Sequence, residues 1–232
     1  MPVTNEARSR LELSTAIRLL ERVGIIDFNG HFSVRLANGN ILINSGSSIR
    51  CSLGPDDFVI VKPDGTPVDA DAPAPPAELP LHVAVYQARS DVQAVVHGHP
   101  EWSTLLSSVG QSYQVVLPQG ALPGDVPVFS SPMSVNNSRI AGAVAAKLGQ
   151  GRAVLLRAHG SVVTGNDVLE TTVMAIYLEL NAERQVRAGQ LGAPYIFSSE
   201  EIASLQTSLH KRGLFEKCWQ YYVTKYGLEG SL

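Results

Sequence analysis

Apolar positions along the chain repeat with two different periods, and the changes of period mark out the elements. Across residues 4–23, Leu11, Ala16, Ile17, Leu20 and Val23 recur at helical spacing, which predicts an amphipathic helix closed by Gly24. "HFSVRL" then alternates, Asn38-Gly39 is a hairpin turn, and "NILIN" reads as the return strand. "DFVIV" predicts another short buried strand, ended by the turn sequence "KPDG". The proline-rich "DAPAPPAE" reads as an irregular loop entering a helix, "ELPLHVAVYQAR", with Pro80 in its first turn. Strand "VQAVVHGH" and helix "EWSTLLSS" follow, and residues 111–134, rich in proline, predict loops and short strands. "NNSRIAGAVAAKLG" reads as a helix with a glycine cap, and "RAVLLRAHGSVVTG" as two strands around a turn. A long helix then starts at an Asp167 cap with Glu170 at its third position, and two more helices finish the chain.

Neither a repeat nor a low-complexity linker interrupts this order, so residues 1–232 read as a single domain, a mixed sheet with helices on its faces. At 44% hydrophobic, the chain can bury a sizeable core. Charged residues make up only 17%, which suits a protein that also buries surface between subunits. The net charge of −3 argues against nucleic acid or an anionic membrane as partner. The first residues carry acidic groups and no apolar signal core, and no stretch approaches the ~18 apolar residues of a membrane span. Cys51 and Cys218 form neither a ligand cluster nor a disulfide framework. A cytoplasmic protein acting on a small molecule is the expectation.

The chemistry concentrates on histidines. His97 and His99 sit two residues apart at a strand end, so alternation puts both imidazoles on one face, where they can converge on one cation. Alone, the pair reads more readily as two polar groups at a strand mouth. His159, beside Gly160, also follows a buried apolar run. Three histidines at strand ends suit a three-ligand metal site with open positions, the kind a catalytic metal keeps for its substrate. Glu78 opens the helix leading to His97: it is either a charge placed near the helix dipole or a group that reaches the cation as general acid or base. His82, one turn on, reads as its support.

"AELPLHVAVYQARSDVQAVVHGHP" resembles the core signature of the class II aldolase/adducin family: a glutamate, then H-x-x-x-Y, then an aspartate, then an apolar run into H-x-H. "LLRAHGSVVTGNDVLETTVMAIYLE" is similar to the family's second signature, and "NGHFSVRL" and "ILINSG" to its N-terminal segments. The resemblance covers nearly the whole chain. It implies a three-layer α/β/α fold with a central mixed, largely antiparallel sheet, assembled as a homotetramer with sites near subunit interfaces. It also implies that His97, His99 and His159 bind a divalent metal, and that Glu78 is the catalytic glutamate, able to approach that metal. Zinc, manganese, iron and cobalt all suit such donors. Adducin-like members lack these ligands and serve structural roles; here every ligand is present.

Departures from the aldolase pattern narrow the reaction. Sugar-phosphate aldolases of the family hold phosphate with small polar groups, among them a Ser-Ser pair before the glutamate; here that pair is Pro76-Ala77. Their asparagine in the first "GN-x-S" segment is replaced by His31, and their neighbouring-subunit tyrosine aligns with Pro118. A phosphate dianion needs several donors, so losing them argues against a phosphorylated ketose. "GHFSVR" instead resembles a branch of decarboxylases acting on hydroxylated aromatic or pyridine dicarboxylates. The expected function is therefore metal-dependent, non-oxidative decarboxylation through an enolate-like state, with Glu78 as acid/base and His31 assisting proton transfer or holding a carboxylate. Ser47, Ser48 and Arg50 in "SGSSIRCS" are candidate holders of the second carboxylate, although Arg50 reads equally well as a loop arginine. The alternative is an aldolase or related lyase cleaving a carbon–carbon bond in a ketose or other carbonyl compound. Arg35, His210, Tyr221 and Tyr222 read as structural or surface residues.

Overall fold

The computed structural model describes residues 5–229. Its elements in order are α1 (Asn5–Arg22), β1 (His31–Arg35), β2 (Ile41–Asn44), β3 (Phe58–Val61), α2 (Leu79–Ala88), β4 (Ala94–Gly98), α3 (Glu101–Ser108), β5 (Val128–Phe129), α4 (Ser138–Leu148), β6 (Ala153–Leu156), β7 (Gly160–Gly165), α5 (Val168–Leu191), α6 (Ser199–Leu209) and α7 (Arg212–Lys225). The strands form one sheet in the order β3-β2-β1-β4-β7-β6-β5. Among the described residues only β5 and β6 pair in parallel. The mixed, largely antiparallel sheet that the sequence implies is what forms.

Both faces of the sheet are covered, because most of its strands are apolar on both. Phe32, Val34, Leu42, Val96 and Val163 pack with α1, α5 and α7 in one core. Ile41, Ile43, Val59, Val95 and Val162 pack with α2 and α4 in the other. Neighbours such as Val95 and Val96 thus serve opposite layers, as the two-residue period of a strand requires. Each buried leucine- or valine-sized side chain contributes roughly 1.5–3 kcal/mol to this three-layer packing.

Local details depart from the simplest reading. The β1–β2 hairpin pairs Arg35 with Ile41, so five residues connect the strands. Gly39 alone takes a positive φ in this turn; Asn38 does not, which rules out the two-residue type I′ turn. Asp167 caps α5 by accepting from the Glu170 amide at 2.7 Å. The Glu170 carboxylate turns away to Arg152, Asn166 and His210 instead of closing a capping box. Arg35 closes the far end of α2, donating to the carbonyls of Tyr86 (2.8 Å) and Arg89 (2.9 Å).

Helix α5 is the internal spine, with Met174, Ile176 and Leu178 buried. Its polar side chains supply partners for segments that lack a ladder of their own. Asn181 Oδ1 accepts from the amides of Val116 (2.9 Å) and Leu117 (3.0 Å), and Gln185 holds the backbone of Ser112 and Gln114. The proline-rich 111–134 segment, which holds only β5 and a short 3-10 turn, is satisfied in this way. Glu179 accepts from the amides of Trp102 and Ser103, capping α3 directly after the His97-Gly98-His99 segment. No helix among the described residues is long and apolar enough to cross a membrane.

Candidate metal centre

The two histidine segments meet because β4 and β7 are neighbours, with Gly98 opposite Ser161 and His97 opposite Val162. Glycines make that approach possible. A Cβ on Gly98 would lie 2.2 Å from the Ile25 carbonyl oxygen, and one on Gly160 would lie 2.2 Å from the Gly98 oxygen. His159 is presented by a turn in which its amide bonds the Leu156 carbonyl at 3.0 Å. Ala158 in that turn has φ 52°, a left-handed conformation that costs a non-glycine residue about 1–2 kcal/mol. The Ser107 hydroxyl, accepting from the Ala158 amide at 3.0 Å, helps to hold it.

Glu78, His97, His99 and His159 converge, each offering a ligand atom, with all four atoms within 4.8 Å of one another. The imidazoles are oriented from behind. His97 Nδ1 meets the Ser161 carbonyl at 3.0 Å and His99 Nδ1 meets Asp27 Oδ1 at 3.0 Å. Both acceptors fix the proton on Nδ1, which leaves Nε2 as a lone pair aimed inward. His97 Nε2 is fully buried and makes no hydrogen bond, although Glu78 Oε2 lies 3.2 Å away. Two acceptors facing each other without a proton between them is an arrangement a cation resolves. The residues present therefore fit a divalent metal: three imidazoles and one carboxylate can hold it.

Glu78 stands just before α2 and makes no capping bond with its side chain. Its Oε1 instead accepts from the Ser134 hydroxyl (2.8 Å) and the Val135 amide (2.6 Å), and its Oε2 meets His31 Nε2 at 3.4 Å. Burial pushes the carboxyl up, but the hydrogen bonds from His31 and the Val135 amide outweigh this and hold it well below the usual carboxylate range. Burial lowers His31 and His159 to about 4, so both are neutral at neutral pH.

His31 reaches the site because β1 pairs with β4 and places it directly opposite His97. His82 touches His31, with Nε2 2.7 Å from His31 Nδ1; its role is support, given to the neighbouring histidine. Beside the donors lies a cavity of about 430 Å³ whose lining includes Asn29, His31, Arg50, Pro76, Ala77 and Ser134. Arg50 is buried, its Nε bound to the Gly30 carbonyl at 2.7 Å and its Nη1 to the carbonyls of Ser45 and Ser48 and the Ser48 hydroxyl. Its Nη2 meets no acceptor among the described residues. Ser48 stands behind Arg50 as a partner, and Ser47 is exposed and does not line the cavity. Arg50 is thus no solvated loop arginine. His210 lies away from the site beside Glu170, and Tyr221 and Tyr222 pack against each other.

The sequence reading missed Asp27, Ser134 and the backbone groups that orient the site. Asp27 left one signal: it accepts from the amides of Asn29 and Gly30, the turn habit of an aspartate two residues before "NG". The Ser161 carbonyl and the Val135 amide leave none, since every residue carries such groups.

The family model described as "Class II Aldolase and Adducin N-terminal domain" matches residues 11–186, and the chain belongs to that family. A 3,4-dihydroxyphthalate decarboxylase from Terrabacter sp. is 28% identical over 213 residues, covering 86% of this chain and 89% of the relative. A methylthioribulose-1-phosphate dehydratase from Gluconacetobacter diazotrophicus is 33% identical over 168 residues, covering 66% of this chain and 80% of the relative. The crystal structure of an aldolase II superfamily protein from Pseudomonas syringae superposes with a TM-score of 0.85 at 23% identity, covering 100% of this chain and 96% of that one. That likeness concerns the fold.

Proposed function

We propose that the protein is a metal-dependent carboxy-lyase that removes one carboxylate from a small hydroxylated aromatic dicarboxylate. The observation that carries this reading is the cavity itself. Arg50 and His31 line it together with the donors Glu78, His99 and His159, and Pro76 and Ala77 add no hydroxyl to its wall. A guanidinium and an imidazole N–H suit a carboxylate, whereas a phosphate dianion calls for several donors and Pro76 and Ala77 bring no side-chain donor. The similarity to the Terrabacter decarboxylase supports the same substrate class.

Held by Glu78 and the three histidines, a divalent cation would supply a Lewis acid that stabilises negative charge on the substrate's ring oxygen. Zinc, manganese, iron and cobalt all suit this donor set. The chain's own residues do the rest. Arg50 Nη2 and the His31 Nε2–H bind the carboxylate that stays. Glu78, ionised at rest, takes the proton of the ring hydroxyl and passes it to the ring carbon that bears the departing carboxylate. The bond from that carbon to the carboxylate then breaks, its electron pair restores the aromatic ring as a phenolate, and carbon dioxide leaves. The phenolate takes its proton from water.

Carbon dioxide released from dihydroxyphthalates by the metal-loaded protein is the expected result. Aldehyde released from ketose phosphates, with no carbon dioxide from any hydroxyaryl dicarboxylate, would favour the aldolase reading, which the 33% identity to a sugar-phosphate dehydratase keeps as its rival. The same proposal has the chain form a homotetramer with sites near its interfaces, which sedimentation of the purified protein checks.

A further inference from the structure

From Glu78 a line of hydrogen bonds runs away from the cavity, between the sheet and α2. Glu78 Oε2 meets His31 Nε2 at 3.4 Å, and His31 Nδ1 meets His82 Nε2 at 2.7 Å. His82 Nδ1 meets Ser33 Oγ at 2.6 Å, and Ser33 Oγ meets Tyr86 OH at 2.9 Å. All five side chains are buried.

One proton serves each contact, so the direction of the whole line follows from its end. The Glu78 carboxylate has no proton to give, and His31 therefore donates from Nε2. A neutral imidazole has a single N–H, so His31 Nδ1 accepts and His82 Nε2–H donates. His82 Nδ1 then accepts from the Ser33 hydroxyl, whose oxygen accepts from Tyr86. The far end is closed: burial raises the Tyr86 phenol above its ordinary range, so it keeps its proton. Passing a proton down this line would leave a buried tyrosinate. The line orders donors; it does not conduct.

We propose that His82, backed by Ser33 and Tyr86, is a positioning residue that locks His31 in the Nε2–H tautomer, so that His31 acts only as a hydrogen-bond donor towards Glu78 and a bound carboxylate and never as the base. The substrate clause rests on the decarboxylase reading; the tautomer does not. It narrows the two roles open to His31, proton transfer or carboxylate holding, to the second. His82 also gains a function that its burial in the core would otherwise hide.

The test reads the tautomer directly in the full-length protein loaded with zinc, 15N-labelled at histidine, with the His31 signals assigned by their loss in His31→Gln. The expected spectrum has a bare Nδ1 and a protonated Nε2 on His31. Ser33→Ala removes one oxygen and frees His82 to invert, so His31 should then show an Nδ1–H population. His82→Leu should do the same and lower kcat roughly tenfold with little change in KM. His82→Gln, whose amide can donate from near the old Nε2 position, should restore both signal and turnover. A His31 protonated on Nδ1 in the wild type, or a tautomer indifferent to both Ser33→Ala and His82→Leu, overturns the proposal. Because the spectrum needs no substrate, a protein inactive on every hydroxyaryl acid would still decide the tautomer, and so separate failure of this inference from failure of the functional reading.

Discussion

His31 and His97 face each other across the β1–β4 ladder as register partners, their ring centroids 5.0 Å apart. One strand brings a metal donor to the site and its neighbour brings a hydrogen-bond donor. A register slip of one residue would turn His31 to the opposite face of the sheet. The site thus depends on the hairpin geometry of β1 and β2 as much as on the histidine motifs.

Asp27 orients His99, its Oδ1 lying 3.0 Å from His99 Nδ1. Asp27→Asn should weaken zinc affinity about 10–100-fold, as loss of outer-shell partners of metal histidines does. Competition with a chromophoric chelator measures this. Unchanged affinity would mean that the His99 ring is held by packing alone.

Glu78→Gln keeps the volume and one oxygen, so the variant should remain folded and still take up metal. Its turnover should fall by roughly 10²–10⁴-fold, the usual worth of a positioned acid/base. Rate measurements at saturating substrate and metal are the check, and normal kcat would remove Glu78 from the proton transfer.

Gly98 passes hard against the Ile25 carbonyl, so Gly98→Ala should displace the segment that carries both His97 and His99. Expected results are a lowered Tm together with lost metal binding. A variant that melts and binds zinc like the wild type would show that the strand end yields freely.

Glu179 satisfies the Trp102 and Ser103 amides in the first turn of α3 from inside the protein, and burial raises its carboxyl above the usual range. Glu179→Ala leaves those amides without a partner at a cost of about 1–3 kcal/mol. Denaturant unfolding of the metal-free protein gives the value. Glu179→Gln, which retains one acceptor, should fall between.

Burial holds the fully buried His82 well below its ordinary 6.5. As pH falls through that value the unfolded chain takes up a proton that the folded chain refuses, so stability is present at neutral pH and lost on acidification. In chelator, His82→Gln should lose part of this slope, up to about 1.4 kcal/mol per pH unit. Parallel slopes for the two proteins would contradict the assignment.

Much of this was legible in the chain. The metal donors were readable because His97, His99 and His159 all follow valine- and leucine-rich runs next to a glycine, the pattern of short buried strands. The layers were readable because most strands are apolar on both faces. What did not show was which way polar side chains turn once buried. Glu170 held the capping-box position yet turned to Arg152, because that guanidinium is a stronger partner than a backbone amide. Ser48 stood beside Ser47 in sequence, but the 3-10 turn at Arg50–Ser52 buried one behind the guanidinium and left the other in solvent. The His31–His82 contact joins residues 51 apart, and no local period announces it.

The most direct test is a metal titration coupled to carbon dioxide release. Protein stripped by chelator is refilled with zinc, manganese, iron or cobalt in the presence of a dihydroxyphthalate, with bound metal and evolved gas followed in the same sample. The account predicts that the rate rises in step with occupancy, saturates at one ion per chain, and vanishes in His97→Ala while the fold persists. Carbon dioxide evolved at full rate by the stripped protein, or by His97→Ala, would contradict it.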